Sequence, residues 1–191
     1  MRVEFIIPTY NNPDHLMCII SSIRAQTKDA WKVHVVADCP PVGTLNKIMD
    51  YFKEDDRIKF TILNKRYNDF GDSPRNYGIE KATEEWIVMT GEDNYYAPIF
   101  VEEILSLVDN KTNFIHCNMI LDHKKKIYVP VNTRIELGFI DTGCYAVKSN
   151  LAKEIKLEPQ YIGYADWVFA DKYTKKFGGI KHTKKILYVH N

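Results

Sequence analysis

The sequence predicts an α/β domain: a mostly parallel central sheet flanked by helices, with a small antiparallel part toward the C-terminus. Three observations predict it. Short apolar runs alternate with segments whose apolar residues recur every three or four positions, the rhythm of strand–helix–strand crossovers. The loops that close the early runs are rich in Pro, Asn and Asp, which suit turns better than ladders. Past residue 110 the texture changes to apolar runs joined by a polar turn, which reads as a hairpin. At 191 residues, with no repeat, low-complexity tract or linker, the chain reads as one domain over 1–191, with halves at 1–110 and 111–191.

Residues 3–7 form the first predicted strand, stopped by Pro8, which has no N–H for a ladder. Asn12 before Pro13 suits a helix start, and Leu16, Ile19, Ile20 and Ile23 share one helical face up to about Gln26. Residues 31–37 are the second strand, ended by Asp38-Cys39-Pro40-Pro41. Thr44 is placed to cap a helix that turns Leu45, Ile48, Met49 and Phe52 inward. Ile58, Phe60 and Ile62 alternate as a third strand, and residues 64–72 have no period and read as loop. Asp72-Ser73-Pro74 opens a helix, and Trp86-Ile87-Val88-Met89 is a buried strand. Residues 98–109 are amphipathic through Val101, Ile104, Leu105 and Val108. In the second half, 114–121 and 127–131 are paired strands around the turn 122–126. A short strand follows Asp141-Thr142-Gly143, helices lie near 149–155 and 165–177, and Gly178-Gly179 stops the latter. Residues 186–189 are the last predicted strand.

Composition narrows the function classes. Lys and Arg total 26 against 25 Asp and Glu, so no overall charge calls for nucleic acid. Lysines do gather late, from Lys148 to Lys185, and are expected to lie on solvated helix and strand surface. The cysteines at 18, 39, 117 and 144 include no Cys-x-x-Cys pair, which fits free thiols in a reducing compartment. No signal-peptide pattern opens the chain and no apolar run approaches the ~20 residues needed to span a bilayer. The expectation is a cytoplasmic protein without a transmembrane segment, or a cytoplasmic module of a larger multidomain one.

Strand 86–89 ends in Gly91-Glu92-Asp93-Asn94. Carboxylates at the C-terminal end of such a strand face the crevice where open α/β sheets bind ligands, and hard oxygens there suit Mg²⁺ or Mn²⁺ held with a phosphate. Neither Gly-x-Gly-x-x-Gly after the first strand nor a Gly-Lys-Ser/Thr loop is present, so the dinucleotide and Walker patterns are excluded.

The ordered blocks Ile6-Ile7-Pro8-Thr9-Tyr10-Asn11, Ser21, Gln26-Thr27, Val35-Val36-Ala37-Asp38, Gly71 to Gly78 and Glu92-Asp93-Asn94 resemble the family-2 glycosyltransferases of the GT-A fold. The match is nearly continuous in the first half and thins in the second. The small size is also similar to that of chlorovirus-type glycosyltransferase domains. The resemblance implies a nucleotide-binding half at 1–110 and an acceptor-binding half at 111–191. It implies inverting transfer of a sugar from a UDP-sugar to a hydroxyl of a glycan or glycoprotein, aided by Mn²⁺ (or Mg²⁺). Pro8, Thr9, Tyr10, Asp38, Asp72, Arg75, Asn76, Glu92 and Asp141 fall on donor-side positions. Asp93 and His190 are the implied metal ligands, and Asp166, in Tyr164-Ala165-Asp166-Trp167, the implied base. Two departures stand out: Gly91 replaces the first acid of the usual Asp-x-Asp, and Ala165 the acid before Asp166. The first keeps open a non-catalytic nucleotide-sugar or glycan-binding module. A nucleotidyltransferase is disfavoured, because the loop 8–12 has neither glycine nor positive charge.

Overall fold

The computed structural model describes residues 1–123, 127–161 and 163–191. The expected turn at 122–126 lies partly outside them, at 124–126. The chain order is β1 (Val3–Thr9), α1 (Pro13–Arg24), β2 (Trp31–Ala37), α2 (Asn46–Phe52), β3 (Ile58–Ile62), α3 (Asp72–Lys81), β4 (Trp86–Met89), β5 (Tyr95–Tyr96) and α4 (Phe100–Ser106). The second half adds β6 (Phe114–His123), β7 (Ile127–Val131), β8 (Tyr145–Lys148), α5 (Ser149–Ala152), α6 (Ala165–Phe177) and β9 (Ile180–His190).

The strands form one sheet in the order β3-β2-β1-β4-β8-β6-β9-β5, with β7 on β6. From β3 to β4 every pair is parallel, as crossover helices require. Then β8 runs antiparallel to β4 and to β6, and the β6–β7 hairpin is antiparallel. The second half also contains a parallel pair, β6 with β9. Strands β1, β2 and β4 are buried almost throughout, as expected of a sheet covered on both faces.

The structure departs from the predicted elements at several places: Thr44 does not cap α2, whose N-cap is Leu45 with no side-chain bond, and α4 and α5 are shorter than the expected 98–109 and 149–155. β1 runs through Pro8 to Thr9. Ile6 accepts from the Thr90 N–H and Thr9 from the Asp38 N–H, so alternate residues face β4 and β2. The missing donor of Pro8 therefore falls on the β4 side, past the last paired residues Ile6 and Met89. β9 begins at Ile180 rather than 186, paired with β6 from Phe114 on, and its register slips from Thr183 opposite Cys117 to Ile186 opposite Asn118. The bulged Lys184 and Lys185 break the alternation by which a strand is recognised. β5 is two residues long, too short for any periodic signal, and exists through its pairing with β9.

Two contacts explain how the layers close. A Cβ on Gly78 in α3 would stand 2.3 Å from Ile6 Cγ2, so glycine lets that helix lie directly on β1. Glu4, buried within β1, accepts from the N–H groups of Thr83 (2.8 Å) and Glu84 (3.1 Å) and so fixes the entry to β4. Gln26 holds the entry to α4 in the same way, donating to Ala97 O (2.8 Å) and accepting from Val101 N–H (2.9 Å). No helix among the described residues is long and apolar enough to cross a membrane.

Candidate active site

The C-terminal ends of β1, β2 and β4 border a cavity of about 630 Å³. Its lining includes Pro8, Thr9, Tyr10, Asp38, Arg75, Glu92, Asp93, Asp141 and His190, nine of the residues singled out from the sequence. A second cavity of about 300 Å³ adjoins it, lined in part by Asp72, Gly163, Tyr164 and Asp166. Phe70, Arg75, Asp141, Thr142 and His190 line both. Asn76 stands apart from either lining. Its amide donates to Leu157 O (2.8 Å) and accepts from Leu157 N–H (2.9 Å), pinning the 157 segment to α3 rather than facing a ligand.

Asp38 closes one end. Its buried carboxylate accepts from the N–H groups of Tyr67 (2.8 Å) and Asn68 (3.0 Å), so the acid after β2 shapes the 64–71 loop while it faces the cavity. On that loop Arg66 lies over the Tyr10 ring, its guanidinium carbon 3.1 Å from the centroid. Arg75 is braced by Thr90 O (3.2 Å), Phe70 O (2.9 Å) and Asp72 (3.5 Å).

The loop after β4 divides its acids. Both oxygens of Glu92 are in use: one accepts from the Thr9 hydroxyl, the other from the Asn12 amide (2.9 Å). Asn12 thus spends its side chain on Glu92 instead of capping α1. Burial raises the Glu92 carboxyl, against the pull of those hydrogen bonds. Asp93 is exposed to the cavity. A Cβ on Gly91 would meet Asp93 Oδ1 at 2.7 Å and Asn94 Nδ2 at 2.9 Å, so these two side chains fill the space beside the residue that replaces the first acid. Asn94 in turn accepts from Asn191 N–H (3.0 Å), tying this loop to the end of β9.

Across the cavities, Asp141 accepts from the Tyr188 hydroxyl (2.6 Å) and the Gly143 N–H (2.8 Å), and His190 Nε2 lies 3.5 Å from its other oxygen. His190 ends β9, paired opposite Leu121, so it is held in the sheet. Asp166 sits in the first turn of α6. Burial is the main reason its carboxyl is pushed up to about 6; Asp141 adds to the rise and His190 opposes it. A carboxylate of that affinity is ionised at neutral pH and a better base than an exposed one.

Among the described residues no three His, Cys, Asp or Glu side chains converge as a ready metal site. Asp93 and His190 nonetheless line the same cavity, and an oxygen-preferring cation commonly takes one or two protein ligands and completes its shell with substrate phosphates. The residues present fit a cation that arrives with a diphosphate. None of the late lysines lines either cavity; Lys172, Lys175, Lys176, Lys181 and Lys185 pair with surface acids, the solvated role expected of them. Sequence reading missed Arg66, Phe70 and Thr142, the first two because their loop carries no period and no motif.

The family model described as glycosyl transferase family 2 matches residues 4–149. EpsH of Bacillus subtilis (strain 168) is 27% identical over 116 residues, covering 61% of this chain and 33% of EpsH. The crystal structure of S. aureus TarS 1-349 in complex with UDP superposes with a TM-score of 0.84 at 20% identity, over 99% of this chain and 60% of that one. The mannosyltransferase PcManGT from Pyrobaculum calidifontis, in complex with GDP-Man and Mn²⁺, gives a TM-score of 0.70 at 18% identity, over 99% and 56% of the two chains. The chain spans about a third of EpsH and under two thirds of each matched structure, whose likeness shows a shared GT-A fold.

Proposed function

Because this chain belongs to glycosyl transferase family 2, we propose that it is an inverting glycosyltransferase moving a hexose from a UDP-sugar to a hydroxyl of a glycan or glycoprotein, with help from Mn²⁺ or Mg²⁺. One observation supports the reading above the others. Asp166, raised to about 6 by burial, lies in the cavity adjoining the one that Asp38, Arg75 and Asp93 line. A donor site and a base are thus side by side.

In this reading uracil packs on the face of Tyr10 left open by Arg66, or takes the place of that guanidinium, and Asp38 accepts from the nucleoside. Arg75 faces the diphosphate. Asp93 and His190 would hold the cation, which as a Lewis acid would offset charge on the departing diphosphate. Asp166 takes the proton of the acceptor hydroxyl as that oxygen bonds to the anomeric carbon. The bond from that carbon to the diphosphate oxygen breaks on the opposite face, UDP leaves with the electron pair, and the configuration inverts. Asp141, held by Tyr188 and Gly143, orients hydroxyls of the transferred sugar and keeps Asp166 basic. The free cysteines suit a reducing cytoplasm, where such donors are available.

The test is transfer from a panel of UDP-sugars to glycan acceptors, with the product anomer read by NMR. The expected product has the opposite configuration to the donor, and Asp166→Asn lowers kcat by about 10²–10⁴-fold while UDP affinity holds. Full activity in Asp166→Asn would sink the mechanism. Gly91 in place of an acid favours one competing reading, a nucleotide-sugar-binding module. Its signature is UDP binding with neither transfer nor donor hydrolysis.

A further inference from the structure

Phe70 is the most conspicuous side chain that the donor chemistry leaves unused. It is 78% exposed, yet it stands where the two cavities meet and lines both. A lone exposed phenylalanine on a mobile loop would need no explanation. This one is not on a free loop tip. Its φ is +58°, a left-handed conformation that bulky side chains rarely adopt. Arg75 Nη1 donates to its carbonyl at 2.9 Å, and the flanking chain is held by Asp38 at Tyr67 and Asn68 and by Asp69 at the Ser73 N–H (3.0 Å). The backbone therefore keeps an aromatic ring in water at a fixed place, a cost that recurs at ligand sites.

Tyr164, 38% exposed, lines the smaller cavity with Phe70. It is the residue before the first turn of α6, two positions ahead of Asp166, and Tyr161 backs it at a ring separation of 5.5 Å. The ring and the candidate base thus come from the same helix start. Around them the cavity carries the carboxyls of Asp72, Asp141 and Asp166 beside the Arg75 guanidinium and the His190 imidazole, and Arg75 is already shared with Asp72 and two carbonyls. Such a lining accepts hydrogen bonds from hydroxyls and offers little to a second phosphate or carboxylate.

Aromatic faces beside carboxylates are complementary to a pyranose, whose axial C–H groups make an apolar face and whose hydroxyls project from the rim. We propose that Phe70 and Tyr164 form the platform for the acceptor, and that the acceptor group is an uncharged hexopyranose rather than a phosphorylated sugar or a protein side chain. The inference rests on the glycosyltransferase reading and narrows its acceptor class.

Binding, which needs no turnover, tests it. Protein saturated with UDP is mixed with methyl hexopyranosides, their 6-phosphates, or a serine-containing peptide, and saturation-transfer NMR reports which protons touch the protein. Neutral glycosides are expected to show transfer at ring C–H protons, at least fivefold stronger than the phosphates or the peptide. Phe70→Ala should lose most of that signal and Phe70→Trp should restore it. Equal or stronger binding of the phosphates or the peptide, no glycoside binding, or an undiminished signal in Phe70→Ala would each overturn the proposal. A UDP titration of the same samples separates the failures. UDP bound without glycoside removes only the acceptor platform, whereas no UDP bound removes the donor reading beneath it.

Discussion

In the proposed mechanism Asp166 concentrates the chemistry in one side chain, and its protonation sets a pH dependence. Only the carboxylate can take the acceptor proton, so kcat/KM should fall as pH drops below about 6 and level off above it. A pH–rate profile checks this, and a profile flat down to pH ~4.5 would remove Asp166 from the role. Asp38 tests a different kind of residue. Asn in its place offers one acceptor atom where two N–H groups now converge, so one is left unpaired at a cost of about 1–3 kcal/mol. Loosening of the 64–71 loop should weaken UDP binding by roughly tenfold or more in a titration. The resemblance marks the positions of the acids at 38, 93 and 166 in the sequence, and Asp141 has no motif of its own. Glu92 and Asn76 show what a motif leaves out. Their partners, Thr9, Asn12 and Leu157, lie some eighty positions away in sequence, so only the fold reveals that one links two loops and the other pins a segment.

Elements tell the same story in their periods. α1, β2 and β4 were legible because each buries one uninterrupted apolar set; β5 and the first part of β9 were not, one being too short and the other bulged at Lys184 and Lys185. Tight layer contacts were equally invisible. Gly78→Ala should destabilise the protein by about 1–3 kcal/mol, because its methyl group must push α3 off Ile6. A lowered urea midpoint with an unchanged slope is the expected reading. Where β6 meets β9, His116 stacks on His182 with ring centroids 4.1 Å apart. Burial, and then His182, lowers His116 to about 4 from 6.5; burial and Lys184 lower His182. Thr133, Asn118 and Phe114 also touch the pair and Tyr145 stands opposite His116 on β8, and none of these is a carboxylate or a cation. A histidine depressed in the folded state favours folding in its neutral form. Its contribution is whole above about 6.5 and drains as pH falls toward about 4. Urea midpoints measured from pH ~7.5 to ~5 should decline, and less steeply in His116→Gln.

At the scale of the molecule, a parallel β3-β2-β1-β4 sheet delivers Asp38, Glu92 and Asp93 from its strand ends to the larger cavity, while β9 returns through the sheet to bring His190 to the same cavity. That return explains why the second half was less legible: its site residues come from long-range pairing, and Asp141, Asp166 and His190 share no local pattern. The proposed function requires the larger cavity to be a nucleotide-diphosphate site completed by a cation at Asp93. The most direct measurement is a calorimetric titration with UDP, with and without Mn²⁺, on the unsubstituted protein and on Asp93→Ala. UDP is expected to bind, Mn²⁺ to tighten that binding, and the metal effect to disappear in Asp93→Ala. Absence of UDP binding under every condition would contradict the proposed function.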